Sequence, residues 1–282
     1  METELRVYHA GNFRGIVQAA AAELRERDPD VAVSMVKGGS LDLVKQIAGG
    51  AGIADVVITA DYRNIADFLY GKCTRWYGEL ATTSMVLAYG DRSHYADVIS
   101  TDNWYEILSR PGVRIMGGDP DVDPGIYRRI MISMLAEKFY VQPGLGEKME
   151  TNVVAPDITG KGHAIPRVRA GQVDYAFMYK PMAAASGLRY IDLPPAVNLS
   201  DPSFRDFYAS VSVVASGVRV AGDVIVYGVT VPDNAMHPEK ALEFIEVLLG
   251  PAGDRIISGF GFQPVKPFKA TGRVPQALRK YV

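Results

Sequence analysis

The amino-terminal part of this chain alternates strand and helix so regularly that few folds can accommodate it. Leu5–Tyr8 is a short apolar run. Asn12–Arg27 follows with Ala-rich helical spacing that sets Ile16, Val17, Ala20, Ala21 and Leu24 on one face. Val31–Val36 is β-branched and alternating, Ser40–Ala48 is helical again, and Val56–Ala60 has the composition of a buried strand. Strands that alternate with helices form a parallel sheet covered by those helices, so the chain is an α/β protein. The same grammar returns later. Val113–Met116 reads as a strand, Pro124–Tyr140 as a long helix and Gly162–Ala170 as another. Strands follow at Tyr175–Met178 and Arg189–Asp192, then helices at Pro238–Leu249 and Ala252–Phe260. Gln142–Gly162, rich in Gly and Pro, is expected to be a loop.

Two segments break this rhythm. Leu80–Tyr89 and Val224–Val231 are strand-like and long enough to run between domains. A chain of 282 residues has room for two domains with cores of their own. If the two segments lie side by side, the middle of the chain forms one domain and its two ends together form the other. The expected lobes are 1–84 with 221–282, and 85–220, with a small-molecule cleft between them.

Charge narrows the function classes. Lys and Arg number 30 against 32 Asp and Glu, a formal net charge of −2. A protein that binds nucleic acid through a broad basic field would show a clear Lys/Arg excess, so nucleic acid is not expected as a partner. A small anion is not excluded, because it needs only a local site. Cys73 is the sole cysteine, which rules out an intramolecular disulfide and any cysteine-cluster metal site. The longest uncharged stretches, Leu80–Gly90 and Phe207–Val218, fall well short of the ~20 residues that a spanning helix needs.

The strongest local signal is a repeated construction in which a strand ends, a small or polar residue turns the chain, and a helix begins. It occurs at His9-Ala10-Gly11-Asn12, at Gly38-Gly39-Ser40 and at Asp119 through Asp123-Pro124-Gly125, and more weakly at Gly160-Lys161-Gly162-His163. In α/β folds such turns place free N–H groups and the positive end of a helix dipole where an anion can sit. Glycine lets the backbone approach, and Ser or Asn adds a side-chain hydrogen bond. The plain alternative is that Asn12, Ser40 and Asp123 cap their helices.

Other constellations carry less. The four histidines, His9, His94, His163 and His237, are scattered without metal-ligand spacing or a flanking carboxylate motif, and read as lone surface or turn residues. No P-loop, G-x-S-x-G or H-E-x-x-H is present. Cys73 lies near basic residues without a recognisable base and reads as an inert thiol. Trp76-Tyr77 and Trp104-Tyr105 read as packing anchors.

Taken in order, the motifs HAGNF (9–13), GGSLDLVKQI (38–47), ADVVITADYRNI (54–65), WYGELATTSMVLAY (76–89), DPDVDPGIYRRIM (119–131), AGQVDYAFMYKPMA (170–183), YGVTVP (227–232) and PEKALEFIEVLLGPAGDRII (238–257) resemble the substrate-binding proteins of tungstate/molybdate ABC transporters, the archaeal type above all. The resemblance covers nearly the whole chain. It implies a type II periplasmic-binding-protein fold: two α/β lobes joined by two crossover strands, with an oxyanion held in the cleft. It also implies a monomer without cofactor or resident metal that hands its ligand to a membrane permease. The family is exported, so the resemblance implies an extracytoplasmic location, with the signal segment missing from this sequence.

Carried over residue by residue, the resemblance implies ligand-binding positions at Gly11, Asn12, Gly39, Ser40, Asp123, Met178 and Tyr179. Two depart from the family pattern. Asn12 replaces the usual serine after His-Ala-Gly, and Met178 replaces the glutamate that would pair with Asp123 at the metal centre of the bound oxyanion. A thioether is no substitute for a hard oxygen donor. The expected site is therefore a hydrogen-bonded tetrahedral anion held by backbone N–H groups, Asn12, Ser40 and Tyr179, with Asp123 turned away as a cap. Lys180 in place of arginine is a further departure. Sulfate, another oxyanion or a small carboxylate stays open as the ligand. An enzyme on this scaffold, or an anion-sensing regulatory domain, has less in the sequence to support it.

Overall fold

The computed structural model describes residues 3–120, 124–154, 164–215 and 217–282, in two compact units. One comprises Met1–Thr83 with Ile225–Val282, and the other Ser84–Val224.

The first unit opens with β1 (Thr3–Ala10), α1 (Arg14–Arg27), β2 (Val31–Gly38), α2 (Ser40–Ala48), β3 (Val56–Thr59), α3 (Arg63–Phe68) and β4 (Trp76–Thr82). The helix expected from Asn12 starts later, because Gly11–Phe13 forms a single 3-10 turn before Arg14. α1 buries Ile16, Val17, Ala20 and Leu24, while Ala21 is only half-buried. β1 pairs in parallel with β2 from Thr3↔Val31 to Ala10↔Gly38, and also with β3. All four residues of β3 are buried, as an apolar run between two covered faces requires.

The second unit follows with β5 (Met85–Tyr89), α4 (Trp104–Leu108), β6 (Ile115–Met116), α5 (Pro124–Phe139), α6 (Leu145–Thr151), β7 (Val153–Val154), α7 (Ala164–Arg169), β8 (Tyr175–Tyr179), α8 (Lys180–Ser186), β9 (Arg189–Asp192), α9 (Arg205–Ala209) and the hairpin β10 (Ser212–Ala215)–β11 (Val218–Ala221). Its main sheet runs β7-β6-β8-β5-β9. β5 is antiparallel to both neighbours, and β6 is parallel to β7 and β8. The chain then returns to the first unit as β12 (Val226–Thr230), α10 (Pro238–Leu249), α11 (Pro251–Gly259) and β13 (Gln263–Gly272). That sheet is ordered β13-β4-β12-β3-β1-β2, with β12 antiparallel to β3 and β4.

Two expectations are corrected here, for Leu80–Tyr89 and Gln142–Gly162, and one, for Val224–Val231, is met. Leu80–Tyr89 is two strands, β4 and β5, rather than one. The backbone changes partners between them: Thr83 N–H donates to the Ile225 carbonyl and Met85 N–H to the Asn198 carbonyl. Val224–Val231 contributes one strand, β12, which lies beside β4 with Val226 opposite Thr82. Gln142–Gly162 holds α6 and β7 rather than an unbroken loop, and its residues from 155 onwards are outside those described. Gly144 at φ +80° turns the chain into α6, which docks through Leu145 and Met149. So short a helix shows too few apolar repeats to read from sequence.

The two tryptophan pairs do anchor packing. Trp104 is fully buried, makes a T-shaped contact with Phe177 at 6.1 Å and donates its indole N–H to the Tyr140 hydroxyl at 3.2 Å. Trp76 is buried in the first unit.

Candidate functional site

In the first unit, β1, β2 and β3 are parallel, so the turns after them lie along one carboxyl edge of the sheet. Gly11, Gly39 and Ala60 belong to these turns. A Cβ on Gly11 would meet Lys37 Cε at 2.8 Å, and one on Gly38 would meet Leu43 Cδ2 at 2.6 Å. Close approach rather than a positive φ therefore favours glycine at Gly38, where the Leu43 branch would have to shift, whereas at Gly11 the contact is the far end of the flexible Lys37 side chain, which can move aside.

Neither Asn12 nor Ser40 caps a helix. Gly39 is the capping residue of α2, in extended backbone and without a side-chain cap bond. Ser40 is 4% exposed, and its Oγ accepts the Ala60 N–H at 2.9 Å across the turn that follows β3. That bond uses an oxygen lone pair and leaves the O–H as a donor. Asn12 Nδ2 donates to the hydroxyl of Tyr227, a fully buried residue of β12. Beneath this pair lies an aromatic cluster. Phe13 stacks on Tyr227 with centroids 5.0 Å apart, and Phe262 meets both edge-on at 5.3 and 5.1 Å. The first N–H groups of α2 have no acceptor within their own helix. Asp42, in that first turn, brings its carboxylate close to Gly39: a Cβ there would lie 3.1 Å from Asp42 Oδ2.

His9 is no surface residue. It is fully buried, with Nδ1 2.9 Å from the Ala10 carbonyl oxygen and Nε2 without a hydrogen-bond partner among the described residues. Burial pushes its pKa below the ordinary value; the bond to Ala10 opposes this, and the nearby Arg14 and Lys37 cations add to it. A neutral imidazole therefore sits beside two cations next to the Gly11 turn.

In the second unit, Tyr179 ends β8 and stands at the N-terminus of α8 without a side-chain cap bond. Its hydroxyl accepts from Nη1 of Arg128, a residue of α5 that is 2% exposed. Met178 points to the other face of the strand, as the period of two requires, into an apolar cluster with Val86, Ala88, Val168, Val173, Ala176 and Ala183. The Lys180 ammonium reaches both carboxylate oxygens of Asp192 at 2.8 and 3.0 Å. Asp123 and His163 lie outside the described residues.

His94, read from sequence as a lone residue, has a carboxylate partner: its Nδ1 lies 3.1 Å from Asp174 Oδ1. Arg114 grips the same fully buried Asp174 with Nε at 3.1 Å and Nη2 at 3.0 Å. Burial raises the Asp174 pKa, but hydrogen bonds from Arg114 and His94 outweigh it and hold the carboxyl below 3.8.

Over residues 5–263 the sequence matches the family model described as bacterial extracellular solute-binding protein. The chain belongs to that family. Among its relatives is an uncharacterised solute-binding protein of Methanoculleus marisnigri, 36% identical over 100% of this chain and 87% of the relative. The molybdate/tungstate-binding protein WtpA of Thermococcus kodakarensis is 33% identical over 100% of this chain and 88% of its own length. Among solved structures, the periplasmic molybdate-binding protein of Azotobacter vinelandii superposes with a TM-score of 0.63 at 18% identity, covering 96% of this chain and 100% of the other. That likeness establishes a periplasmic-binding-protein fold for this solute-binding protein. No described helix is long and apolar enough to cross a membrane.

Arg128 and Tyr227 are the side chains that sequence reasoning missed in this solute-binding protein. Each reaches its partner from far along the chain: Tyr227 meets Asn12 across 215 positions, and Arg128 meets Tyr179 across 51. No local motif encodes such a meeting.

Proposed function

We propose that this protein captures a small tetrahedral oxyanion of the tungstate/molybdate class and delivers it, outside the cytoplasm, to the membrane permease of an ABC transporter. The observation that carries the reading is the buried Ser40, whose Oγ is already engaged by Ala60 N–H and whose O–H is left to donate at a glycine-lined carboxyl edge. Neutral donors in a water-poor site discriminate anions by shape and protonation state without a basic excess. The relatives named for molybdate and tungstate support the same ligand class.

The donors proposed in the first unit are Gly11, Asn12, Gly39 and Ser40, and the donor proposed in the second is Tyr179. Met178 is left out of the donor set, because its thioether packs in an apolar cluster and has no hard oxygen to offer. A four-coordinate, hydrogen-bonded anion follows. The role is binding rather than catalysis, and release follows from hinge motion of the units.

A thermal-shift panel of tungstate, molybdate, sulfate, phosphate, nitrate and small carboxylates tests this. A ligand at 100 times its Kd adds about 2.7 kcal/mol of stability. Tungstate or molybdate should give the largest shift at the lowest concentration. A response to none of the oxyanions overturns the reading, and a larger response to sulfate or a carboxylate reassigns the ligand.

A further inference from the structure

We propose that Arg14 and Lys37 form a recruiting pair: two exposed cations at the Gly11 turn that draw the oxyanion in by long-range attraction and leave its retention to the neutral donors. This rests on the oxyanion reading above and adds the charge that the donor set lacks.

Lys37 stands next to the end of β2, opposite His9 in the register with β1. Its stem crosses the turn that follows β1, with Cε 2.8 Å and Cδ 3.8 Å from the place of a Gly11 Cβ. The ammonium is one bond beyond Cε, so the lysine carries its charge to that turn. Arg14 is the first residue of α1, against the positive end of the helix dipole. A cation is favoured instead in the last turn, where Arg25 and Arg27 stand. Arg14 and Lys37 are both exposed, and neither makes a hydrogen bond or ion pair among the described residues. Their fields reach the buried His9 and help to keep it neutral, so the histidine adds no third charge.

Two carboxylates belong to the turns after β1, β2 and β3. Asp61 is engaged by Arg63 at 2.7 Å, whereas Asp42, in the first turn of α2, pairs with neither Arg14 nor Lys37. Like charges placed together without a counter-ion repel, and an incoming anion relieves that repulsion. Because both cations are exposed, salt screens them over about 10 Å at 0.1 M and about 30 Å at 0.01 M. Their main effect therefore falls on encounter rather than on the bound state.

The experiment measures association and dissociation rates for tungstate by stopped-flow intrinsic fluorescence at about 10 and 300 mM NaCl, with Kd from isothermal titration of the same samples. The wild-type association rate should fall about 10-fold between the two salts, with dissociation nearly constant. The double variant Arg14→Gln/Lys37→Gln should associate about 10-fold more slowly at low salt and less than about 2-fold more slowly at high salt. Asp42→Asn should act with the opposite sign and raise the low-salt association rate. Lys72→Gln removes an exposed cation that precedes β4, at the opposite, amino edge of the sheet, and should change neither rate. A double variant that keeps the wild-type association rate at low salt, or that loses affinity through dissociation alone, overturns the proposal. A wild type that binds tungstate at a salt-independent rate overturns the recruiting pair but leaves the oxyanion reading standing. A wild type that binds no oxyanion overturns both.

Discussion

The carboxyl edges of the two units present different chemistry. In the first unit the candidate donors at the edge are neutral: glycine turns at Gly11 and Gly39, the Ser40 hydroxyl engaged by Ala60, and the Asn12 amide held on Tyr227. In the second, Tyr179 is held by a buried cation on a different helix. The two edges thus differ in how their polar groups are held, by neutral partners in one unit and by a charged one in the other.

The sharpest way to break the first edge is from below. Phe13→Ala removes the fully buried ring on which Tyr227 stacks and should cost about 3–5 kcal/mol, with loss of oxyanion affinity because Asn12 and Tyr227 lose their support. Urea denaturation and titration of the same sample check both. Ser40→Ala is the next largest. It strands the buried Ala60 N–H, which should cost about 1–3 kcal/mol, and it removes one anion donor, so affinity should fall about 100-fold in isothermal titration. Unchanged affinity would show that the first edge does not face the ligand.

The second unit should be the acid-sensitive one. The Asp174 carboxyl is held below 3.8 in the folded chain. Its contribution to stability is therefore complete above that value and is lost as the pH falls through the lower, native one. Denaturation midpoints followed from about pH 5 downward should drop, and Asp174→Asn should flatten this dependence while lowering stability at neutral pH. The smallest effect is expected at Met178, where Met178→Leu nearly conserves volume. It should cost less than about 1.5 kcal/mol and leave anion affinity unchanged, in contrast to Tyr179→Phe one residue along the same strand. A marked affinity loss in Met178→Leu would place the thioether at the ligand after all.

What could be read in the sequence follows from how far each signal reaches. α2 at Ser40–Ala48 and α10 at Pro238–Leu249 stand where periodicity puts them, because each buries one continuous face: Leu43, Val44 and Ile47 in the first, Ala241, Phe244, Ile245 and Leu248 in the second. The turns after β1 and β2 were legible for the same reason, since strand, glycine and helix are contiguous. The partners of the turn residues were not. Asn12 and Ser40 look like helix caps in one dimension, and only the approach of Tyr227 and Ala60 assigns them elsewhere. Asp174 gathers Arg114 and His94 from 60 and 80 positions away, so His94 looks solitary until the sheet is assembled. The break between β4 and β5 was hidden because both strands are apolar, and the change of partner at Thr83 leaves no compositional mark.

The central claim is that neutral N–H and O–H donors, not carboxylates, hold the anion. X-ray absorption at the tungsten L3 edge of the tungstate-loaded protein tests it most directly. The predicted result is the four-oxygen shell of the free tetrahedral ion, unchanged on binding. Expansion to six oxygen neighbours, reversed by Asp123→Asn, would contradict it.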